Sequence, residues 1–151
     1  MNFQVKSFDL LTARQVYDMY VLRCEVFVVE QNCAYQDVDE KDLKALHVFG
    51  YNDSQLVAYA RILPPGTKYK EAAIGRVVVK KSVRQQKKGE LLMKYCLQYI
   101  AEQFENKAIR ISAQTYLTAF YRNLGFNETG NSYLEDEIPH TEMLYTGKVH
   151  A

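Results

Sequence analysis

Residues 3–8, FQVKSF, alternate apolar and polar positions, the period of a half-buried strand with Phe3, Val5 and Ser7 on one face. A helical period takes over at Thr12. Gln15 stands three residues beyond it, the spacing of a capping box, and Val16, Met19, Tyr20 and Phe27 recur at helical intervals as far as Glu30. A break inside this stretch would divide it into two short helices. Residues 31–42, QNCAYQDVDEKD, follow neither period and predict a polar surface loop. The apolar runs ALHVFGY and QLVAYARIL, parted by Asn52, Asp53 and Ser54, predict an antiparallel hairpin that ends at Pro64, Pro65 and Gly66. After a second polar turn, AAIGRVVV reads as a buried strand. Leu91, Leu92, Tyr95, Cys96, Tyr99, Ile100 and Phe104 then keep the three-and-four spacing of a helix running from Gly89 to Phe104. A strand (AIRISAQ), a short helical stretch (TYLTAFYRNL), a stop at Gly125 and two extended segments (FNETGNSYL and HTEMLYTGKV) complete the order.

Strands and helices in this order suit an α/β fold, a mixed sheet covered by helices on its faces. With 151 residues the chain fits one domain, 1–151, around one core. Nineteen Lys and Arg against eighteen Asp and Glu leave a formal charge of +1, which excludes a global field for nucleic acid. No run approaches the ~18 apolar residues of a membrane span, and the first residues lack a secretory leader, so no membrane partner and a cytoplasmic location are expected. Cys24, Cys33 and Cys96 form no CxxC pair, and the loop aspartates miss the calcium-loop spacing, so no metal is expected.

The richest stretch is GRVVVKKSVRQQKKGELLMKYCL, a strand that feeds a basic loop and then opens directly into an amphipathic helix. The first turn of a helix presents unpaired backbone N–H groups which, with the helix dipole, favour an anion. Lys80, Lys81, Arg84, Lys87 and Lys88 add five cations within nine residues. Solvent, a phosphate and a larger phosphorylated ligand all remain compatible with that pattern.

RQQKKG resembles the coenzyme A motif of the GNAT superfamily of N-acetyltransferases: Gln or Arg, two residues, Gly, one residue, then Gly or Ala. Arg84 matches the first position and Gly89 the last, while Lys87 replaces the middle glycine, where positive φ or close approach to a ligand favours Gly. AFYRNLGF resembles the family's Phe-Tyr, spacer, Leu-Gly-Phe signature. LRCEVFVVEQNCAYQDVDEKD, IGRVVV and IPHTEMLY resemble the ElaA branch, so the likeness spans most of the chain.

The resemblance implies a mostly antiparallel sheet of six or seven strands flanked by about four helices. It also implies acetyl transfer from acetyl-coenzyme A to a primary amine by direct attack in a ternary complex. Val77, Val78 and Val79 would lie beside the pantetheine arm, and Arg84, Gln85, Gln86, Lys87, Lys88, Gly89 and Glu90 around the pyrophosphate. Tyr121 falls at the general-acid position, where a phenol stays protonated at neutral pH. Glu30 is a candidate base, and Glu30, His47 and His140 are candidates for contact with the acceptor. The acidic residues Asp37, Asp39, Glu40 and Asp42 suit either a cationic amine or local turns and caps. The alternative is a module that binds acetyl-coenzyme A without transferring the acyl group. An exposed terminal strand also allows a homodimer.

Overall fold

The computed structural model describes residues 1–147. Seven strands, β1 (Asn2–Ser7), β2 (Leu46–Asn52), β3 (Gln55–Leu63), β4 (Ala72–Val79), β5 (Ile109–Gln114), β6 (Asn127–Glu135) and β7 (Ile138–Tyr145), form one sheet ordered β1-β2-β3-β4-β5-β7-β6. Only β4 and β5 run parallel; every other neighbouring pair is antiparallel. The α-helices among the described residues are α1 (Ala13–Arg23), α2 (Lys88–Gln103) and α3 (Thr118–Asn123). The α/β sheet expected from the sequence is therefore present. The last residues of the final extended segment, Lys148 and Val149, lie outside the described residues.

The run QLVAYARIL lacks a clean alternation because both faces of β3 are covered. Ala58, Ala60 and Ile62 join the core under α2, with Leu92, Met93, Cys96 and Ile100. Tyr59 joins the opposite core under α1, with Met19, Leu22 and Phe49. The helical stripe of α2 keeps Leu92, Cys96 and Ile100 in the core and differs from the expected one only at its start, where Met93 is fully buried and Leu91 is 46% exposed. β6 is the outer edge of the sheet and exposed along its whole length, and its polar residues blunt that edge.

α1 begins with the predicted box: Gln15 N–H donates to the Thr12 hydroxyl at 3.1 Å, and Thr12 N–H to the Gln15 side chain at 3.0 Å. The expected break after it is a change of winding, with Cys24–Glu30 continuing as a π-helix. Gln31 N–H reaches the Val26 carbonyl and Cys33 N–H the Val28 carbonyl, each five residues back. With the wider π turn, residues four apart align, and Val26, Phe27, Glu30 and Gln31 all border the same cleft. Among the described residues no helix is long and apolar enough to cross a membrane.

Candidate active site

β4 and β5 pair only at Ala72–Ile109 and Ala73–Arg110, then diverge. A cleft of about 1070 Å³ opens in the gap, with Val77, Val78 and Val79 on one strand and Ile111 to Gln114 on the other. A β-bulge lies on this wall. The ladder to β3 pairs Gly75 with Arg61 and Val78 with Tyr59, so Arg76 and Val77 together face Ala60. Arg76 takes φ 49°, and such a bulge increases twist and re-aims the strand's backbone.

The basic loop closes one end of the cleft. Gln85 and Lys87 both have left-handed backbones, at φ 71° and φ 57°. Lys87 therefore occupies the conformation for which the related motif uses glycine, and it is the residue from which α2 starts. Gly89 needs no glycine for the protein's own sake, because an added Cβ would meet Phe120 at 3.7 Å and Val79 at 3.8 Å, ordinary contacts. Gln86 is exposed and is the one residue of 84–90 that does not line the cleft, so the structure does not bring its side chain to the expected site. The Glu90 carboxylate is held below its usual range by Lys94, 2.8 Å away.

A left-handed lysine at a helix start carries strain of about 1–2 kcal/mol, which glycine avoids at some entropic cost. Lys87→Gly is expected to raise the melting temperature by about 1–3 °C in a thermal melt. A fall instead would mean that the lysine side chain stabilises the loop.

Arg84 reaches across the cleft to Glu30, at 3.0 and 2.7 Å from its two terminal nitrogens, while its Nε donates to the Val79 carbonyl at 3.1 Å. The two residues, expected in separate roles, are paired by the fold. Tyr121, on α3, also lines the cleft and is 7% exposed, with its ring edge-on to Phe120 and Phe126. Burial, then Tyr116 and Cys96, pushes its phenol well above the ordinary value.

The model of the acetyltransferase (GNAT) domain family matches residues 12–146 of the chain. The chain belongs to the GNAT acetyltransferase family. It is 42% identical to the ElaA protein of Escherichia coli over 135 residues, 88% of each chain. The crystal structure of that ElaA superposes with a TM-score of 0.87 at 40% identity, covering 96% of this chain and 99% of the other. An acyl-CoA N-acyltransferase from Pseudomonas aeruginosa superposes at 0.89 with 38% identity, over 96% and 99% of the two chains. An aminoglycoside 6′-N-acetyltransferase solved with coenzyme A shares the fold, at a TM-score of 0.71, 15% identity and coverage of 98% and 99%.

Within the GNAT cleft the two candidate histidines part company. His140 lines it, with Nδ1 donating to the Ile138 carbonyl at 2.7 Å and Nε2 3.3 Å from the Glu135 carboxylate. His47 does not line it, which corrects the expectation of a substrate contact. It is fully buried, its Nε2 donates to the Asp42 carbonyl at 2.8 Å, and its Nδ1 accepts from the Tyr59 hydroxyl at 2.6 Å. Burial lowers its pKa, and a neutral ring with both nitrogens engaged is a structural pin.

In the acidic loop Asp37 and Asp42 are buried, while Asp39 borders the cleft and Glu40 is exposed. Arg23 holds Asp37 at 2.7 Å and Asp42 at 2.9 Å; Arg61 holds Asp39 at 2.7 Å and Asp42 at 3.0 Å. Arg76 approaches Asp37 at 2.8 Å and Asp39 at 3.4 Å. Three arginines thus neutralise three of the carboxylates that the sequence left open to an amine. No sequence period marks this network, since its members lie on α1, β3, β4 and the loop.

Proposed function

We propose that this GNAT chain transfers the acetyl group of acetyl-coenzyme A to a primary amine by direct attack in a ternary complex. The observation that carries this reading is the single cleft that joins the anion-binding start of α2, the bulged wall of β4 and Tyr121. The fold relative solved with coenzyme A supports it. The residues fit the nucleotide's chemistry: Arg84, Lys87 and Lys88 supply charge, and the N–H groups of Lys88, Gly89 and Glu90, in the first turn of α2, suit pyrophosphate oxygens. Gln85 adds its backbone to the same loop. Val77, Val78 and Val79 offer main-chain groups to the pantetheine arm.

A neutral amine attacks the thioester carbonyl, the carbon–sulfur bond breaks, and the thiolate leaves. Tyr121 donates its hydroxyl hydrogen toward that sulfur as negative charge develops. Its buried phenol is a weak acid, but a site that disfavours phenolate disfavours thiolate as well, so the pair is matched by a shared environment. Glu30 and His140 line the cleft and are the candidate groups for taking the proton released by the amine. For Glu30 this follows cofactor binding, because pyrophosphate competes with its carboxylate for Arg84.

Isothermal titration with acetyl-coenzyme A, followed by turnover on an amine panel, tests the reading. Micromolar to low-millimolar binding with turnover is expected. The absence of binding would overturn the reading, and binding without turnover on any amine would favour a cofactor-binding module. Arg84→Met is expected to weaken coenzyme A binding about tenfold, whereas Glu30→Gln, which removes the competitor, strengthens it about threefold. Equal losses in both variants would show that the pair acts only as a structural clasp.

A further inference from the structure

A left-handed backbone at a residue with a Cβ costs about 1–3 kcal/mol and persists only where its surroundings hold it. Arg76 is such a residue, and it sits in the bulge that shapes the cleft wall. Its own side chain supplies the hold. Nη2 donates to the Asp37 carbonyl at 3.0 Å, Nε lies 2.8 Å from the Asp37 carboxylate as an ion-pair contact without hydrogen-bond alignment, and the guanidinium stands 5.8 Å over the Tyr35 ring.

Asp37 is itself fixed from behind. Arg23 donates to its carboxylate at 2.7 Å and to its carbonyl at 2.8 Å, and the Tyr35 hydroxyl to its other oxygen at 2.5 Å. Asp37 does not line the cleft, whereas Arg76 and Val77 do. Arg76 and Val77 are also the two residues between Ala73 and Val79 that have no partner on β3. Their backbone is thus free of the ladder and is set instead by the tether to the loop.

We infer that Asp37 and Arg76 are positioning residues for the thioester carbonyl: by pinning the β4 bulge they hold its main-chain N–H groups where the carbonyl oxygen gains negative charge. This rests on the reading of the cleft as the acetyl-coenzyme A site. The loop's acidity then serves the acetyl group through the backbone rather than the acceptor through charge.

Isotope-edited infrared spectroscopy of acetyl-coenzyme A labelled with carbon-13 at the thioester carbonyl reads this directly. The full chain is expected to shift the bound carbonyl stretch to lower frequency. In Asp37→Asn and Arg76→Gly at least about half of that shift should be lost, with coenzyme A affinity held within about threefold. Glycine accepts the left-handed backbone at position 76, and Asp42 still pairs with Arg23 when Asp37 is neutralised, so each variant keeps a route to the fold. A shift retained in both variants overturns the inference alone, and so does a shift lost in step with coenzyme A affinity. No shift in the unaltered chain removes the reading of the cleft on which the inference stands.

Discussion

Replacing Tyr121 with Phe is expected to lower kcat by about a hundredfold or more, with coenzyme A affinity and melting temperature nearly unchanged. The ring keeps its edge contacts with Phe120 and Phe126, so packing survives while the hydroxyl proposed as donor to the leaving sulfur is lost. The pH dependence has a definite sign. Burial raises the phenol, so it stays protonated through neutral and mildly alkaline pH, and any activity limb below about pH 9 belongs to another group. The same shift is a stability term, fully present below the unfolded value near pH 10 and lost as pH rises toward the folded one. Steady-state kinetics across pH 6–9 on both proteins would test the assignment; an unchanged kcat removes Tyr121 from the chemistry.

Arg23→Leu is expected to cost about 3–5 kcal/mol of stability and to lower the melting temperature by about 10 °C. Arg23 is fully buried, and its nitrogens bond Asp37 and Asp42, which are 7% and 1% exposed. Leucine fills part of the volume but leaves two buried carboxylates with weaker compensation. Burial alone would raise Asp42, yet the bonds from Arg23 and Arg61 outweigh it and hold it below its ordinary value. Asp39, pushed up by burial and down by Arg61 and Arg76, is lowered on balance. Groups lowered in the fold contribute stability above the unfolded value near pH 4 and lose it as pH falls through the folded one. The gap between the two proteins in chemical denaturation should therefore be widest at neutral pH and narrow toward pH 3. A constant gap would mean that lost packing, not the ion network, sets the cost.

The residues that periodicity can address were readable in advance. The box at Thr12, the hairpin through Asp53, the buried strand AAIGRVVV and the stripe on α2 each depend on neighbours a few positions apart, and each formed. The basic loop opening into α2 was readable for the same reason, because a run of cations before a helix start is local. The π winding after Arg23 was visible only as a possible break, since apolar spacing does not distinguish a widened turn from an interruption.

His47 and the choice left open for the loop aspartates were beyond the sequence because their partners are remote in it, whereas the cap that Asp39 makes to Lys41 N–H is local. Whether Asp42 meets an amine or Arg23 depends on α1 and β3 arriving at the same place, and a buried charge takes whichever partner the fold delivers. Lys87 is the intermediate case: the motif marks the position as one for glycine, and the fold gives it the positive φ that glycine favours.

By itself, the sequence determined the elements, their order, the basic loop that opens α2 and a resemblance strong enough to point to a GNAT fold. Only the tertiary structure decided where β4 parts from β5, how Arg76 strains the wall between them, and which charges remain free to act. Periodicity is a property of adjacent residues, whereas a cleft and a buried ion network are made by strands and loops that meet only after the chain has folded.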